Sequence, residues 1–263
     1  MKILLISDSE QKELWERWNS KQSEKLSDVG LILSAGDLNP GYLEFLVTML
    51  NVPLLYVRGN HDSCYDEKPP EGCLDIDGRV QYVECRKDGS CRIIYDEPSL
   101  LKRIWNRLTG KKRRDADSTD GSRMIKIAGL GGSMRYRPGP DMYTEKEMAK
   151  RVVRLMFKIK SSQAFDKRSM MCSLKDSAGP GTKHEVGDML DILLTHSPSR
   201  GHGDMEDMPH TGYRCFNDFI NEIRPGYHCY GHIHMDYGRF DRESVHPSGT
   251  KLINASGMYI LEL

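Results

Sequence analysis

Five short apolar runs in this chain each stop at, or lead into, a side chain that can bind a metal ion. Lys2–Asp8 (KILLISD) ends at Asp8, Val29–Asp37 (VGLILSAGD) at Gly36-Asp37, and Val52–Asn60 (VPLLYVRGN) runs into Gly59-Asn60-His61-Asp62. Asp191–Thr195 (DILLT) leads to His196, and Tyr227–Tyr230 leads to Gly231-His232-Ile233-His234. Short apolar runs bounded by polar or glycine stops read as buried strands. In open α/β sheets, ligands collect beyond the carboxyl ends of the strands, because the loops converge at that edge. The pattern therefore expects several strand ends to deliver their terminal side chains to one place.

The segments between these runs set the fold expectation. Residues 11–26 carry Leu14, Trp15, Trp18 and Leu26 among charges, which suits an amphipathic helix. Pro40–Leu50 reads as a second helix, with proline acceptable in its first turn. The resulting β-α-β-α-β order argues for a parallel sheet with crossover helices. Gly78–Glu84 and Met124–Gly129 are further strands, the latter followed by a glycine-rich turn, Leu130–Ser133. Residues 144–159 form a helix opened by Thr144 with Glu147 three residues on, a capping-box pattern. Tyr213–Ile223 is another helix, and Lys251–Leu263 splits into two strands around Ser256–Gly257. A parallel first half with a hairpin-rich end suggests two packed sheets with helices outside, in one domain over 1–263. Two polar stretches, 86–122 and 160–189, read as surface insertions. Within the first, 98–114 (PSLLKRIWNRLTGKKRR) would be a basic amphipathic helix. It would either pack on the domain or dock on a partner or an acidic surface.

Composition excludes some functions. Lysine plus arginine equals aspartate plus glutamate at 38 each, so no overall field favours nucleic acid or membrane. No apolar run is long enough to cross a bilayer or form a signal-peptide core, and a cytoplasmic location is expected. The seven cysteines form no CxxC pair and are expected to be free thiols.

The residue types at the run ends are chemically coherent. Carboxylates neutralise divalent cations, neutral imidazoles suit borderline metals, and an Asn carbonyl adds a neutral oxygen. His232 and His234 share the spacing that points two side chains the same way in extended backbone, as do Asp8 and Glu10. The other histidines, His184, His202, His210, His228 and His246, are expected to be ordinary packing or surface residues. His202 and His210 lie in a loop that would border the site. Arg135 and Arg137 are expected in surface salt bridges.

The ordered set Asp8-Ser9-Glu10, Gly36-Asp37, Gly59-Asn60-His61-Asp62, His196 and Gly231-His232-Ile233-His234 resembles the calcineurin-like metallophosphoesterases. The resemblance implies a four-layer α/β/β/α sandwich of two mixed sheets. It implies two divalent metals, manganese foremost, with magnesium, iron or zinc as alternatives. Asp8, the residue at 10 and His234 would hold the first metal, and Asn60, His196 and His232 the second. Asp37 would bridge them. The implied substrate is a small phosphomonoester or phosphodiester, attacked in line by a water shared by metals about 3.5–4 Å apart. His61 would protonate the leaving oxygen, and Asp62 would orient or polarise His61. Position 10 is Glu where the family pattern has His, which favours manganese or magnesium over zinc. A non-catalytic scaffold with a weakened first metal site is the alternative from another class. A nuclease is a third, disfavoured by the neutral charge.

Overall fold

The computed structural model describes residues 1–16, 18–19, 24–94, 122–171 (backbone only over 163–171), 186–238 and 241–263. The first strand, β1 (Lys2–Ser7), is buried along its whole aliphatic stretch because both of its faces are covered. It pairs in parallel with β2 (Val29–Ser34), which pairs in parallel with β3 (Leu54–Tyr56) and then β4 (Cys73–Asp75). The C-terminal strand β14 (Gly257–Glu262) closes the other side of β1 in antiparallel register, Lys2 opposite Glu262 and Ser7 opposite Gly257. This sheet has the order β14-β1-β2-β3-β4.

The second sheet has seven strands in the order β12-β13-β11-β10-β7-β5-β6. These are β5 (Val80–Cys85), β6 (Cys91–Ile94), β7 (Arg123–Leu130), β10 (Ile192–Thr195), β11 (Tyr227–Tyr230), β12 (Glu243–Val245) and β13 (Lys251–Asn254). Strands β7, β10, β11 and β13 are parallel, whereas β5, β6 and β12 join as antiparallel neighbours. A small parallel pair, β8 (Ser133–Met134) and β9 (Met142–Tyr143), follows the glycine turn.

Alternation along the strands produces the layers, since successive side chains face opposite sides. Ile3, Leu5, Leu31, Leu33, Leu55 and Val57 of the first sheet meet Val83, Ile125, Ile127, Ile192, Leu194 and Ile253 of the second. Their neighbours Leu4, Ile6, Ile32, Leu54 and Tyr56 face outward onto Tyr42, Leu43 and Leu46 of α2 (Pro40–Leu50) and Leu14 of the short α1 (Lys12–Trp15). On the far side, Ala128, Leu130, Leu193, Tyr230 and Leu252 pack on α3 (Glu145–Met171) and α4 (Arg214–Ile223). The expected helix–sheet–sheet–helix layering is observed. Thr144 and Glu147 form the reciprocal cap at the start of α3, with Thr144 N–H donating to Glu147 Oε2 at 2.8 Å and Glu147 N–H to Thr144 Oγ1 at 3.3 Å.

Several expectations are revised. Of the helix expected over 11–26, the described residues show one turn, α1, whose Trp15 stacks on Tyr42 with centroids 5.1 Å apart, and helical backbone again at 24–25, while 17 and 20–23 lie outside the described residues. The proposed insertion at 86–122 contains a strand, β6, which pairs with β5 at the edge of the second sheet. Part of the stretch 160–189 is the continuation of α3 to Met171. Residues 95–121 and 172–185 of these stretches, and with them the basic segment 98–114, lie outside the described residues. The expectation of free thiols fails for Cys85 and Cys91, which are joined in a disulfide across the β5–β6 hairpin. They are directly opposed in the ladder, which brings their Cα atoms to 4.2 Å; spacing along the chain does not reveal such a pairing.

Candidate metal centre

The strand ends converge as the run-end pattern expects. Asp8 follows β1, Asp37 follows β2, Gly59-Asn60-His61-Asp62 lies three residues beyond β3, His196 follows β10, and Gly231 to His234 follow β11. To turn these side chains together the backbone accepts left-handed conformations at Asp8 (φ 63°), Asp37 (φ 57°) and His232 (φ 68°). Such torsions cost roughly 1–3 kcal/mol each for residues with a Cβ, and they cluster where function requires them. Two glycines are required by closeness instead. A Cβ on Gly59 would lie 2.0 Å from Asp37 Oδ1, and one on Gly231 would lie 2.0 Å from Ser7 Oγ.

At the centre is His196, fully buried. Its Nδ1 lies 2.7 Å from the Ala35 carbonyl oxygen, which can only accept, so the proton sits on Nδ1. Its Nε2 is thereby aimed at Asn60 Oδ1 (3.1 Å), His232 Nδ1 (3.1 Å) and Asp37 Oδ2 (3.4 Å). His232 is fixed in the same way, its Nε2 donating to the Pro209 carbonyl at 2.8 Å. With both rings neutral, two imidazole lone pairs, an amide oxygen and a carboxylate oxygen point at one another. Asp37, His196 and His232 bring their ligand atoms within 4.8 Å of each other. That donor set suits a divalent cation, which would replace lone-pair repulsion by coordination. The Ala35 and Pro209 carbonyls fix the ring orientations from behind, as partners of metal-bound histidines commonly do.

The charges agree with this reading. Burial opposes a charge on His196, but the carboxylates of Asp37 and Asp8 outweigh it and raise its pKa. Burial, with neighbouring His196, pushes His232 down to about 3. Asp8 is raised, chiefly by removal from water and also by Asp37, with His196 and His234 pulling the other way. Burial and the nearby Asp37 carboxylate push Asp62 up to about 6. The site thus holds excess negative charge in little water, a condition a bound cation relieves.

The remaining expected residues take distinct places. Asp8 accepts the His232 N–H through both oxygens, at 2.9 and 3.0 Å. His234 is half-buried, its ring stacked on Tyr237 at 4.7 Å. His61 is exposed, held by its backbone N–H donating to Asp37 Oδ1 at 2.8 Å. Asp62 accepts from the N–H groups of Asp37 (2.8 Å) and Gly59 (2.7 Å), so it ties the β2 and β3 end loops together. Glu10 is not brought into the cluster. It is exposed, and its Oε1 accepts from the N–H of Asn39, the residue that caps α2. Arg135 binds the Met142 carbonyl and Glu147, and the Arg137 guanidinium lies over Tyr136, so both have neighbours other than the cluster.

Sequence reasoning missed the supporting contacts. His228, buried on β11, lies 2.8 Å from Thr195 Oγ1 through its Nε2, and Thr195 donates to Ser197 O at 2.6 Å, which braces the backbone on either side of His196. Asn254 Nδ2 donates to the Ile233 carbonyl at 2.8 Å and steadies the Gly231–His234 turn. Asp204, whose place in the sequence suits a loop-forming residue, accepts from Gly201 N–H (2.8 Å) and Gly212 N–H (3.0 Å) and so shapes the loop that carries Pro209 and His210. The His228–Thr195 and Asn254–Ile233 contacts join groups more than twenty residues apart, for which the sequence carries no signal.

The profile described as calcineurin-like phosphoesterase matches residues 1–236. A Caenorhabditis elegans relative, UPF0046 protein T07D4.2, is 44% identical over 54 residues, a stretch covering 19% of this chain and 13% of that protein. A solved crystal structure covers 99% of this chain and 94% of its own, with a TM-score of 0.50 at 12% identity, a likeness of fold alone. The crystal structure of TT1561 from Thermus thermophilus covers 96% of this chain and 88% of its own, with a TM-score of 0.46 at 12% identity.

Proposed function

The chain belongs to the calcineurin-like phosphoesterase family, and from that premise we propose that it hydrolyses a phosphomonoester or phosphodiester with the help of two divalent metals. The observation that carries this reading is the convergence of the Asp37, Asn60, His196 and His232 ligand atoms on one point. Asn60, His196 and His232 would hold one metal, Asp8 and His234 the other, and Asp37 both. Oxygen donors joined by imidazoles suit manganese, with magnesium, iron or zinc as alternatives. When bound, such metals lower the pKa of water and offset the charge of the phosphate oxygens.

The protein groups do the rest. Asp62 is a positioning residue, since one carboxylate oxygen holds the backbones of Asp37 and Gly59. The His61 main chain is anchored to Asp37 while its side chain faces solvent, where a substrate would arrive. An imidazole there can give a proton to the leaving oxygen, a contribution of about 10²–10⁴-fold in rate. The test is turnover of an aryl phosphomonoester and an aryl phosphodiester by metal-stripped protein after manganese, magnesium or zinc is restored. Metal-dependent turnover that falls by about 10²-fold or more in His61→Ala supports the reading. Equal turnover in the mutant removes His61 from the chemistry.

The turn of Glu10 toward Asn39 favours a second reading, a scaffold that holds one metal only. Elemental analysis of the folded protein separates the two. A metal-to-protein ratio near one, with no turnover, would favour the scaffold.

A further inference from the structure

We infer that Tyr237 is a specificity-determining residue of this site, a ring platform for a planar aromatic group carried by the phosphate ester. The inference rests on the phosphoesterase reading and deepens it. Tyr237 closes the turn after the Gly231–His234 segment, its N–H donating to the His234 carbonyl at 3.1 Å. Its ring stacks on that of His234, with centroids 4.7 Å apart and planes 23° apart. A second contact comes from His210, at 5.1 Å and 67°. His210 is pinned by Asp207, whose Oδ2 lies 2.6 Å from Nδ1, and it rests against the metal-side His232 at 5.3 Å. The tyrosine is thus fastened to the centre from two sides.

Even so, Tyr237 remains 47% exposed, and Met208, on the same loop as His210, is 65% exposed. Large apolar surface at the rim of a charged cluster gains nothing from a small hydrophilic phosphate. It does gain from a flat ring, which can stack on tyrosine and cover methionine. The ring therefore lies where the organic part of an ester must pass when its phosphate sits among Asp8, Asp37 and His234. Aromatic stacking of this kind corresponds to roughly tenfold in affinity.

The test is calorimetric titration of the full chain, loaded with manganese, with phenylphosphonate and with methylphosphonate. Neither is hydrolysed, so the result does not depend on turnover. The wild-type protein should prefer phenylphosphonate, Tyr237→Ala should lose about tenfold of that preference, and Tyr237→Phe should keep it. Metal content, measured in parallel, should be unchanged. If Tyr237→Ala weakens both ligands alike, or sheds metal, the ring only props His234 and the inference is overturned. Absence of a phenyl preference in the wild type overturns it equally. Failure of the phosphoesterase reading looks different: phosphonates bind while no ester is hydrolysed.

Discussion

Acid should destabilise this fold through His228, by an amount the structure allows to be worked out. The side chain is fully buried between Thr195 on one side and the rings of Phe216 and Tyr230 on another. Thr195 uses its hydroxyl hydrogen on the Ser197 carbonyl, so it can only accept from His228 Nε2–H. Nδ1 is then a bare lone pair, and it is buried without a hydrogen-bond partner. A proton added there would be a buried charge facing His246 and His202. Burial first, and those two rings next, push the pKa from 6.5 down to about 3.

The sign follows from proton counting. Between pH 6.5 and pH 3 the unfolded chain binds this proton and the native chain does not. Stability is therefore full above the unfolded value and is lost as pH falls toward the folded one. At pH 5, roughly 1.5 pH units below the unfolded value, the loss is about 2 kcal/mol at ~1.4 kcal/mol per unit. Depression of the His246 pKa, by burial and by His202, adds in the same direction. The assay is urea unfolding at pH 5, 6 and 7 for the wild type and for His228→Gln, which can still donate to Thr195. The variant should lose about 2 kcal/mol less than the wild type between pH 7 and pH 5. Equal losses would show that the ring protonates in the native state and that the burial argument is wrong.

Gly59→Ala should disrupt the centre, because the new Cβ would stand 2.0 Å from Asp37 Oδ1 and 2.6 Å from His196 Cε1. Metal affinity, read by titration, should fall by about 10–100-fold, and unchanged affinity would count against the assigned ligands. Thr144→Ala removes the reciprocal cap of α3 and should cost about 1 kcal/mol in urea unfolding, with no change in metal content. Replacing Cys85 and Cys91 together with serine should lower stability by about 2 kcal/mol, the loop-closure entropy of so short a bridge. Wild-type protein under reducing conditions should match that variant.

Legibility in the sequence followed the range of the forces involved. Strands such as Ile3–Ile6 and Leu31–Leu33 were plain because burial on both faces demands unbroken apolar residues. The cap at Thr144 and Glu147 was plain because both partners lie within one turn. The gathering of Asp8, Asp37, Asn60, His196 and His232 was foreshadowed because parallel strands carry their carboxyl ends to the same edge. Short edge elements such as β6 and β12 were not legible, since their place depends on a neighbour's ladder and not on their own apolar content.

What the sequence by itself determined is the set of strand-forming runs and the chemical kinds of side chain at their ends. These are local properties of composition and spacing. Only the tertiary structure decided that His196 carries its proton on Nδ1, that Glu10 turns to Asn39, and that Cys85 meets Cys91. It also placed Tyr237 against His234 and left nearly half of it open. Each of these depends on which backbone group, ring or sulfur comes within a few ångströms, and such contacts are settled by packing between layers. A carbonyl such as that of Ala35 is present at every residue and is therefore invisible in the sequence, yet once it faces His196 it decides which nitrogen is free to bind a metal.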